Sequence, residues 1–513
     1  MPLRRWWERS SPVPGAPQAR GLGVTVEEWL PAAQDVAAAG GRLLALWVSA
    51  NPHGAAAYAA FMAPAGVLVL RLSVPANLPE GFAYPSLATL FPAAGRMERA
   101  AFDLFGVQSS GEDRRPWLRH AAWPPGSFPM RSSSIADEAP AGIDTYEFVR
   151  VQGEGVHEVP VGPVHAGTIE PGHFRFSVVG EKVLRLEERL GYVHKGIELR
   201  FTELALLEGH RLAARVSGDS AVAFSWAYCQ ALEGLSGCSV PPRAAWLRAL
   251  FLELERVANH LGDLGALGND AGFAFGLAQF SRLKEQLLRV VAEAFGQRYL
   301  LDAVVPGGTS VDLTPGHVQA LAGRIGQIGC EVQELRRIYD EHAGLRDRFF
   351  EAGRLAPDLA ARLGVVGLAA RASGQALDAR VDWPCAPYDE MIPKKIVRQA
   401  GDVAARVTVR FDELEESSRL IQRILEHIPA GRHLASVATP PAGACGVGLI
   451  EGWRGPVWIW LEAGADGAIR RCHPHDPSWQ NWPALEHAIL DNIVPDFPLI
   501  NKSFNLSYSG HDL

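Results

Sequence analysis

The sequence predicts an α+β fold: a small N-terminal α/β domain over residues 1–145, then a large helix-bundle domain over residues 146–513 with β-rich subdomains at its N- and C-terminal ends. Three observations carry this. The chain has 513 residues, 48% hydrophobic and 21% charged, enough for about two to four domains of ordinary globular composition. Short apolar or β-branched runs cluster near the two ends, and long three-and-four apolar spacing fills the middle.

Taken in order, a Ser/Pro/Gly-rich entry (Ser10 to Gln18) precedes Thr25-Val-Glu-Glu28, a capping box that opens a helix ending near Gly40-Gly41. Leu43 to Val48, Ala57 to Met62 and Val67 to Val74 suit a short sheet, and Ser86 to Phe105 is read as helical. Gly111 to Gly142 shifts to Pro, Gly, Ser and Arg with Trp117, Trp123 and Phe128 interleaved, a surface-hugging connection with aromatic anchors. Tyr146 to Val151 and His173 to Leu186 are expected as strands, joined through the Gly/Pro-rich run Gly162 to His173. Helices are expected over Thr202 to Leu235, Pro242 to Leu261, Phe273 to Phe295, Pro315 to Arg346 and Asp402 to His427, a bundle built from facing stripes. The last sixty residues are expected to return to short strands and loops, including Val457 to Glu462.

Composition excludes several functions. Fifty-seven acidic against 49 basic side chains leave a net charge of -8 with no basic footprint, so no nucleic-acid partner is expected. The most apolar run, Ala55 to Leu70, is broken by Pro64 and Gly66 and falls short of the roughly twenty residues that a spanning helix needs. The basic start, Met-Pro-Leu-Arg-Arg-Trp-Trp, lacks a following apolar region and cleavage site, and a cytoplasmic location is expected. The six cysteines form no CxxC pair and are expected as buried reduced thiols, neither disulfides nor zinc ligands. No Gly-x-Gly-x-x-Gly turn follows a strand, which argues against direct NADH binding. The fourteen tryptophans are read as packing for irregular segments.

Ile169-Glu-Pro-Gly-His-Phe-Arg175, Tyr192-Val-His-Lys-Gly-Ile-Glu198, Val240-Pro-Pro-Arg243, Leu252-Glu-Leu-Glu-Arg256 with Asn259-His260, Arg371-Ala-Ser-Gly374 and Asp496-Phe-Pro-Leu-Ile500 occur in this order. Together they resemble the large subunit of membrane-bound, formate-hydrogenlyase-type nickel-iron hydrogenases and the homologous quinone-site subunit of respiratory complex I. Arg96 to Gly106, followed by Asp113-Arg-Arg115, resembles the smaller complex I subunit that is fused ahead of this domain in formate hydrogenlyase. The resemblance implies a hydrogenase large subunit-like fold for the second domain.

The departures matter as much. Hydrogenases of this family hold nickel and iron with four thiolates, one pair in an Arg-Val-Cys-x-x-Cys segment and one in an Asp-Pro-Cys-x-x-Cys segment. Here the segments read Arg215-Val-Ser217-Gly-Asp-Ser220 and Ser503-Phe-Asn505-Leu-Ser507-Tyr-Ser-Gly510. Protonated serine hydroxyls are hard donors and glycine offers none, so no metal is expected on this chain. The vacated place is expected to be a polar cavity formed by Ser217, Asp219, Ser220, Arg371, Asn505, Ser507 and Gly510.

The complex I relative implies a quinone chamber there, served by a Tyr and a His. Tyr228 resembles the Tyr, a phenol able to donate to a quinone carbonyl. His165 resembles the loop His, with His173 a nearby second candidate, and Glu170 stands where the hydrogenase family has a proton-conducting Glu. The implied function is electron transfer from an iron-sulfur cluster on a small partner subunit to a quinone acceptor, with no cofactor held by this chain. Membrane subunits complete the implied complex, which places the chain on the inner face of the cell membrane. The alternative is a non-catalytic scaffold or coupling subunit.

Overall fold

The computed structural model describes residues 2–51, 54–74, 83–121, 123, 124, 126–131, 146–165 and 169–513. The expected boundary near residue 145 and part of the Gly162 to His173 run lie outside them.

Strands β1 (Ser11–Pro12), β2 (Ala19–Val24), β3 (Arg42–Asn51), β4 (Gly54–Ala63) and β5 (Gly66–Val74) form one sheet in the order β1-β2-β5-β4-β3, parallel only between β2 and β5. The helix Val26–Ala38 lays Trp29, Ala32, Ala33 and Val36 into the core, the face that its spacing predicts. Its capping box forms: the Glu28 N–H donates to Thr25 Oγ1 (3.3 Å) and the Thr25 N–H to the Glu28 carboxylate (3.2 Å). Of the expected helix Ser86 to Phe105 only Ala94–Phe105 is helical, because Pro92 disfavours helical geometry just before it. Trp117 anchors the following connection, buried beneath the guanidiniums of Arg96 and Arg99 at 4.7 and 4.8 Å.

Tyr146 to Val151 is not a strand. Side chains hold it instead, with Arg99 donating to the Tyr146 hydroxyl at 2.9 Å. The sheet of the second region is β6 (Val156–Val161), β7 (His173–Val179) and β8 (Lys182–Arg189), antiparallel throughout. The run read as one strand is thus a hairpin, turned at Gly180 with φ +59°, which glycine adopts without strain.

The bundle comprises Ala221–Ser236, Pro242–Asp270, Ala274–Phe295, Pro315–Glu341 and Val403–His427. The first of these starts nineteen residues later than expected from Thr202, after two short helices, Ile197–Phe201 and Gly209–Ala213. Ser217, Gly218, Asp219 and Ser220 interrupt the pattern, since short polar side chains compete for local hydrogen bonds and favour turns. A two-residue pair, β9 (Val304–Val305) and β10 (Gly308–Thr309), follows, then the antiparallel sheet β11 (Cys445–Glu451), β12 (Pro456–Ala463) and β13 (Ile469–His475). The C-terminal stretch corrects the expectation of strands and loops: it holds helices Ser478–Ala488, Phe497–Phe504 and Tyr508–Asp512. Pro477 and Pro498 sit at or beside helix starts, where a missing N–H costs nothing.

A distinct core lies between the N-terminal sheet and the β11-β12-β13 sheet, and it takes Trp47, Trp383, Trp458 and Trp460. Trp47 stacks on Tyr58 and on His473, each at 5.1 Å, and packs against Trp460. Such pairs contribute roughly 0.5–1.5 kcal/mol each beyond burial. The cysteines are unpaired, but only Cys229 and Cys472 are buried; Cys330 is exposed, against expectation. Among the described residues no helix is long and apolar enough to cross a membrane.

Candidate functional site

Three segments remote in sequence meet in one cleft of about 690 Å³. The first is the turn Ser217 to Ser220, which feeds the N-terminus of Ala221–Ser236. The second is Asn505 to Ser509, the link between the last two helices and the first turn of the second of them, where Asn505 takes the left-handed conformation (φ +47°) that amide side chains tolerate. The third is the β11-β12 turn, which supplies Arg454.

Ser217 Oγ and Ser507 Oγ lie 2.9 Å apart, and Ser217 also donates to Asp219 Oδ1 at 2.8 Å. Arg454 clamps Asp219 through its two terminal guanidinium nitrogens, Nη1 and Nη2, at 2.6 and 2.5 Å, and donates from Nε to the Asn505 carbonyl at 2.6 Å. Ser220 is a longer neighbour of Asp219, at 3.5 Å. Asp219 is half-buried, and partial loss of water would raise its pKa, but the Arg454 charge and hydrogen bonds outweigh that and hold it below the ordinary carboxylate range. Asp270 and Lys502 add charge to the wall, and Glu170 joins it, accepting the Ser509 N–H at 3.2 Å.

The remaining expected residues fall elsewhere. Tyr228 is fully buried, stacked on Phe201, and its hydroxyl donates to the Leu206 carbonyl at 2.7 Å, away from the cleft. Arg371 is likewise fully buried, its Nε on Glu413 at 2.7 Å and its Nη1 on Glu451 at 2.8 Å, so it belongs to an internal ion-pair network. His165 bonds the Gly172 carbonyl at 2.9 Å, and His173 the Gly162 carbonyl at 3.2 Å. Both brace their own loop, and neither lines the cleft. The structure thus brings Ser217, Asp219, Asn505 and Ser507 of the expected cavity, with Glu170, to the wall of one cleft, sets Ser220 and Gly510 behind that wall, and places Arg371, Tyr228 and His165 elsewhere.

Sequence reading missed Arg454, Asp476 and Ser478. Asp476 is buried, with Oδ1 accepting the Ser478 N–H at 2.8 Å and Oδ2 without a hydrogen-bond partner. Burial pushes its pKa up. Ser478 in turn receives the Ser507 N–H at 2.9 Å. Nothing in the spacing joins Asp219 to Arg454; the only local signal was an arginine between Trp453 and Gly455 in a strand turn.

The ligand positions do not fit a nickel-iron centre. Ser217, Ser220 and Ser507 present hydroxyls already engaged with one another or with Asp219. A side chain at Gly510 would run into the Asp476 carboxylate, which takes up the room that a fourth thiolate needs.

Residues 25–139 match the family described as "Respiratory-chain NADH dehydrogenase, 30 Kd subunit", and residues 270–442 the one described as "Respiratory-chain NADH dehydrogenase, 49 Kd subunit". A chain in the structure of the membrane-bound sulfane sulfur reductase, an archaeal respiratory membrane complex, shares the fold with a TM-score of 0.66 at 22% identity, over 70% of this chain and 99% of that one. Formate hydrogenlyase subunit 5 of Escherichia coli (strain K12) is 33% identical over 453 residues, 87% of this chain and 79% of that protein. Hydrogenase-4 component G of the same organism is 30% identical over 471 residues, 90% and 81% respectively. The chain belongs to the family of fused 30 Kd/49 Kd complex I-type subunits that includes Formate hydrogenlyase subunit 5.

Proposed function

We propose that the chain is the electron-transfer subunit of a membrane-associated, complex I-like oxidoreductase. It receives electrons from an iron-sulfur cluster on a small partner subunit and passes them to a quinone-like acceptor in the cleft. The observation that carries this is the Ser217–Ser507 contact beside the Asp219–Arg454 clamp, within an open cleft at the place where relatives of hydrogenase type bind metal. Reducing a quinone to a hydroquinone consumes two electrons and two protons. Arg454 offers a fixed positive charge for the anionic oxygen that develops, and Glu170 offers a carboxyl at the rim for proton delivery. Neither nickel binding nor hydrogen turnover belongs to this reading. The two units, 1–145 and 146–513, would dock together on the iron-sulfur partner and on membrane subunits, at the cytoplasmic face of the cell membrane.

One observation favours the alternative of a scaffold or coupling subunit: the phenol expected to reach the acceptor is committed to Leu206. The test is the purified complex, assayed for quinone reduction, hydrogen uptake and nickel content. Quinone-dependent turnover without nickel is expected. Stoichiometric nickel with hydrogen-dependent dye reduction overturns the reading, and an absence of any turnover leaves the scaffold role as the better account.

A further inference from the structure

A cavity of about 290 Å³ opens where the helix Ala94–Phe105 and the connection after it meet β8 and the helix Ser478–Ala488. Four guanidiniums face it: Arg96 and Arg99 from the first helix, Arg115 from the connection and Arg185 from β8. Three of them are committed. Arg96 reaches Glu188 at 2.9 Å and Glu486 at 2.8 Å, Arg99 reaches Asp113 at 3.0 Å, and Arg115 reaches Asp113 at 2.7 Å and Glu187 at 2.5 Å. Arg185 makes no hydrogen bond or ion pair among the described residues, and its Nε is buried.

The acids do not balance these arginines. Glu188 is fully buried; its Oε2 shares the Arg96 guanidinium with Glu486, and its Oε1 has no hydrogen-bond partner. Burial pushes its pKa well above the ordinary carboxylate range against the pull of Arg96, which favours the neutral acid with its proton on the atom that Arg96 leaves free. Four guanidiniums then face three carboxylates, those of Asp113, Glu187 and Glu486. His487, at the edge of the cavity, registers the excess: partial burial lowers its pKa, Glu486 opposes, and Arg362, Arg185 and Arg96 all push it further down.

We propose that this cavity binds a small free oxyanion, of the phosphate or carboxylate class, on the Arg185 guanidinium with His487 beside it. The site shares no residue with the acceptor cleft, so it stands whatever that cleft binds. A guanidinium offers a planar fork of N–H donors that matches an oxyanion at two points, and at Arg185 that fork is free. The space far exceeds the roughly 10–15 Å³ that one water needs, so a small ion fits with water around it. The walls come from both sides of the seam, and an ion that binds only when they are docked favours that docking.

The test titrates the full chain, and then the assembled complex, with inorganic phosphate at constant ionic strength, with acetate as the carboxylate probe. Saturable binding is expected, with a melting temperature that rises with the logarithm of phosphate concentration. Arg185→Gln should weaken binding at least about tenfold, the scale of losing a charged hydrogen-bond donor, and Arg185→Lys by less, since the charge stays and the fork goes. Without phosphate both variants should melt with the parent, because Arg185 holds no protein group; Arg185→Lys carries the comparison if the glutamine variant does not fold. Absence of saturable binding by either anion overturns the proposal. Equal affinity in the parent and the Arg185 variants does so too, because the ion then binds elsewhere. Binding to the free chain that disappears in the assembled complex would mean that an acidic side chain of a partner subunit fills the cavity, which also overturns it.

Discussion

Asp219 and Arg454, 235 residues apart in the chain, form a two-point ion pair that ties the Ser217–Ser220 turn to the β11-β12 turn, and the same guanidinium holds the Asn505 carbonyl. Planar, bidentate geometry is something that only arginine supplies. Arg454→Lys keeps the charge but loses the fork and the Asn505 contact. Quinone reduction by the complex should fall by roughly ten- to a thousandfold, the range for losing a positioned electrostatic group. Asp219→Asn should cost stability as well, because it leaves the buried Arg454 without its counter-charge. Melting curves and turnover, measured side by side for both variants, separate these effects.

Gly510 and Asp476 compete for one volume. Gly510→Cys introduces a side chain against the Asp476 carboxylate and should destabilise the protein by roughly 1–3 kcal/mol, the usual scale of overpacking. Adding Asp476→Ala should recover part of that loss, with the Ser507 hydroxyl left as the second close neighbour, so the two changes are non-additive. Denaturant unfolding of the two single variants and the double variant checks this. Equal costs with and without Asp476 would place the clash elsewhere.

Legibility followed chain proximity. The capping box at Thr25, the long helices from Pro242 onward and the Ser217 and Ser507 segments were readable because each depends on residues close together or on an ordered set of motifs. Arg454 and Asp476 were not, because their roles arise from a β turn folding onto helix termini hundreds of residues away. Tyr228 misled for a related reason. An Ala-Tyr-Cys-Gln segment on an apolar helix looks the same whether its phenol faces a cavity or a neighbouring carbonyl, and only packing distinguishes the two. The C-terminal prolines likewise read as loop markers, although proline at a helix start is as common a use.

A pH effect should arise at Glu198, which is buried between Arg471 (2.7 Å) and His473 (2.6 Å). Burial by itself would raise its pKa, but Arg471 and then His473 dominate and hold it down at about 2. The sign follows from the unfolded value near 4.3: stability from this carboxylate is complete above that pH and is lost as pH falls toward about 2. That loss amounts to roughly 3 kcal/mol. Glu198→Gln should therefore lower stability at pH 7 and flatten the acid limb of the stability profile. Parallel acid limbs in the two proteins would assign the acid sensitivity to other carboxylates.

Tyr228→Phe gives the clearest contrast between sequence and structure. The resemblance assigned the phenol to the acceptor, so removing its oxygen would cost turnover. The geometry gives it a different partner. The hydroxyl donates to the Leu206 carbonyl at 2.7 Å, the ring is fully buried and stacked on Phe201 at 5.9 Å, and no side chain fits at Gly209 without striking the phenol. Burial also pushes its pKa well above the ordinary tyrosine value, so the group stays a neutral donor throughout the working pH range. Deleting that hydroxyl strands a buried carbonyl, at a cost of about 1–3 kcal/mol, while the ring packing survives. Turnover per folded complex should then match the parent, and the melting temperature should fall. A large drop in quinone reduction with unchanged melting would return Tyr228 to the acceptor and require the Leu206 contact to break during turnover.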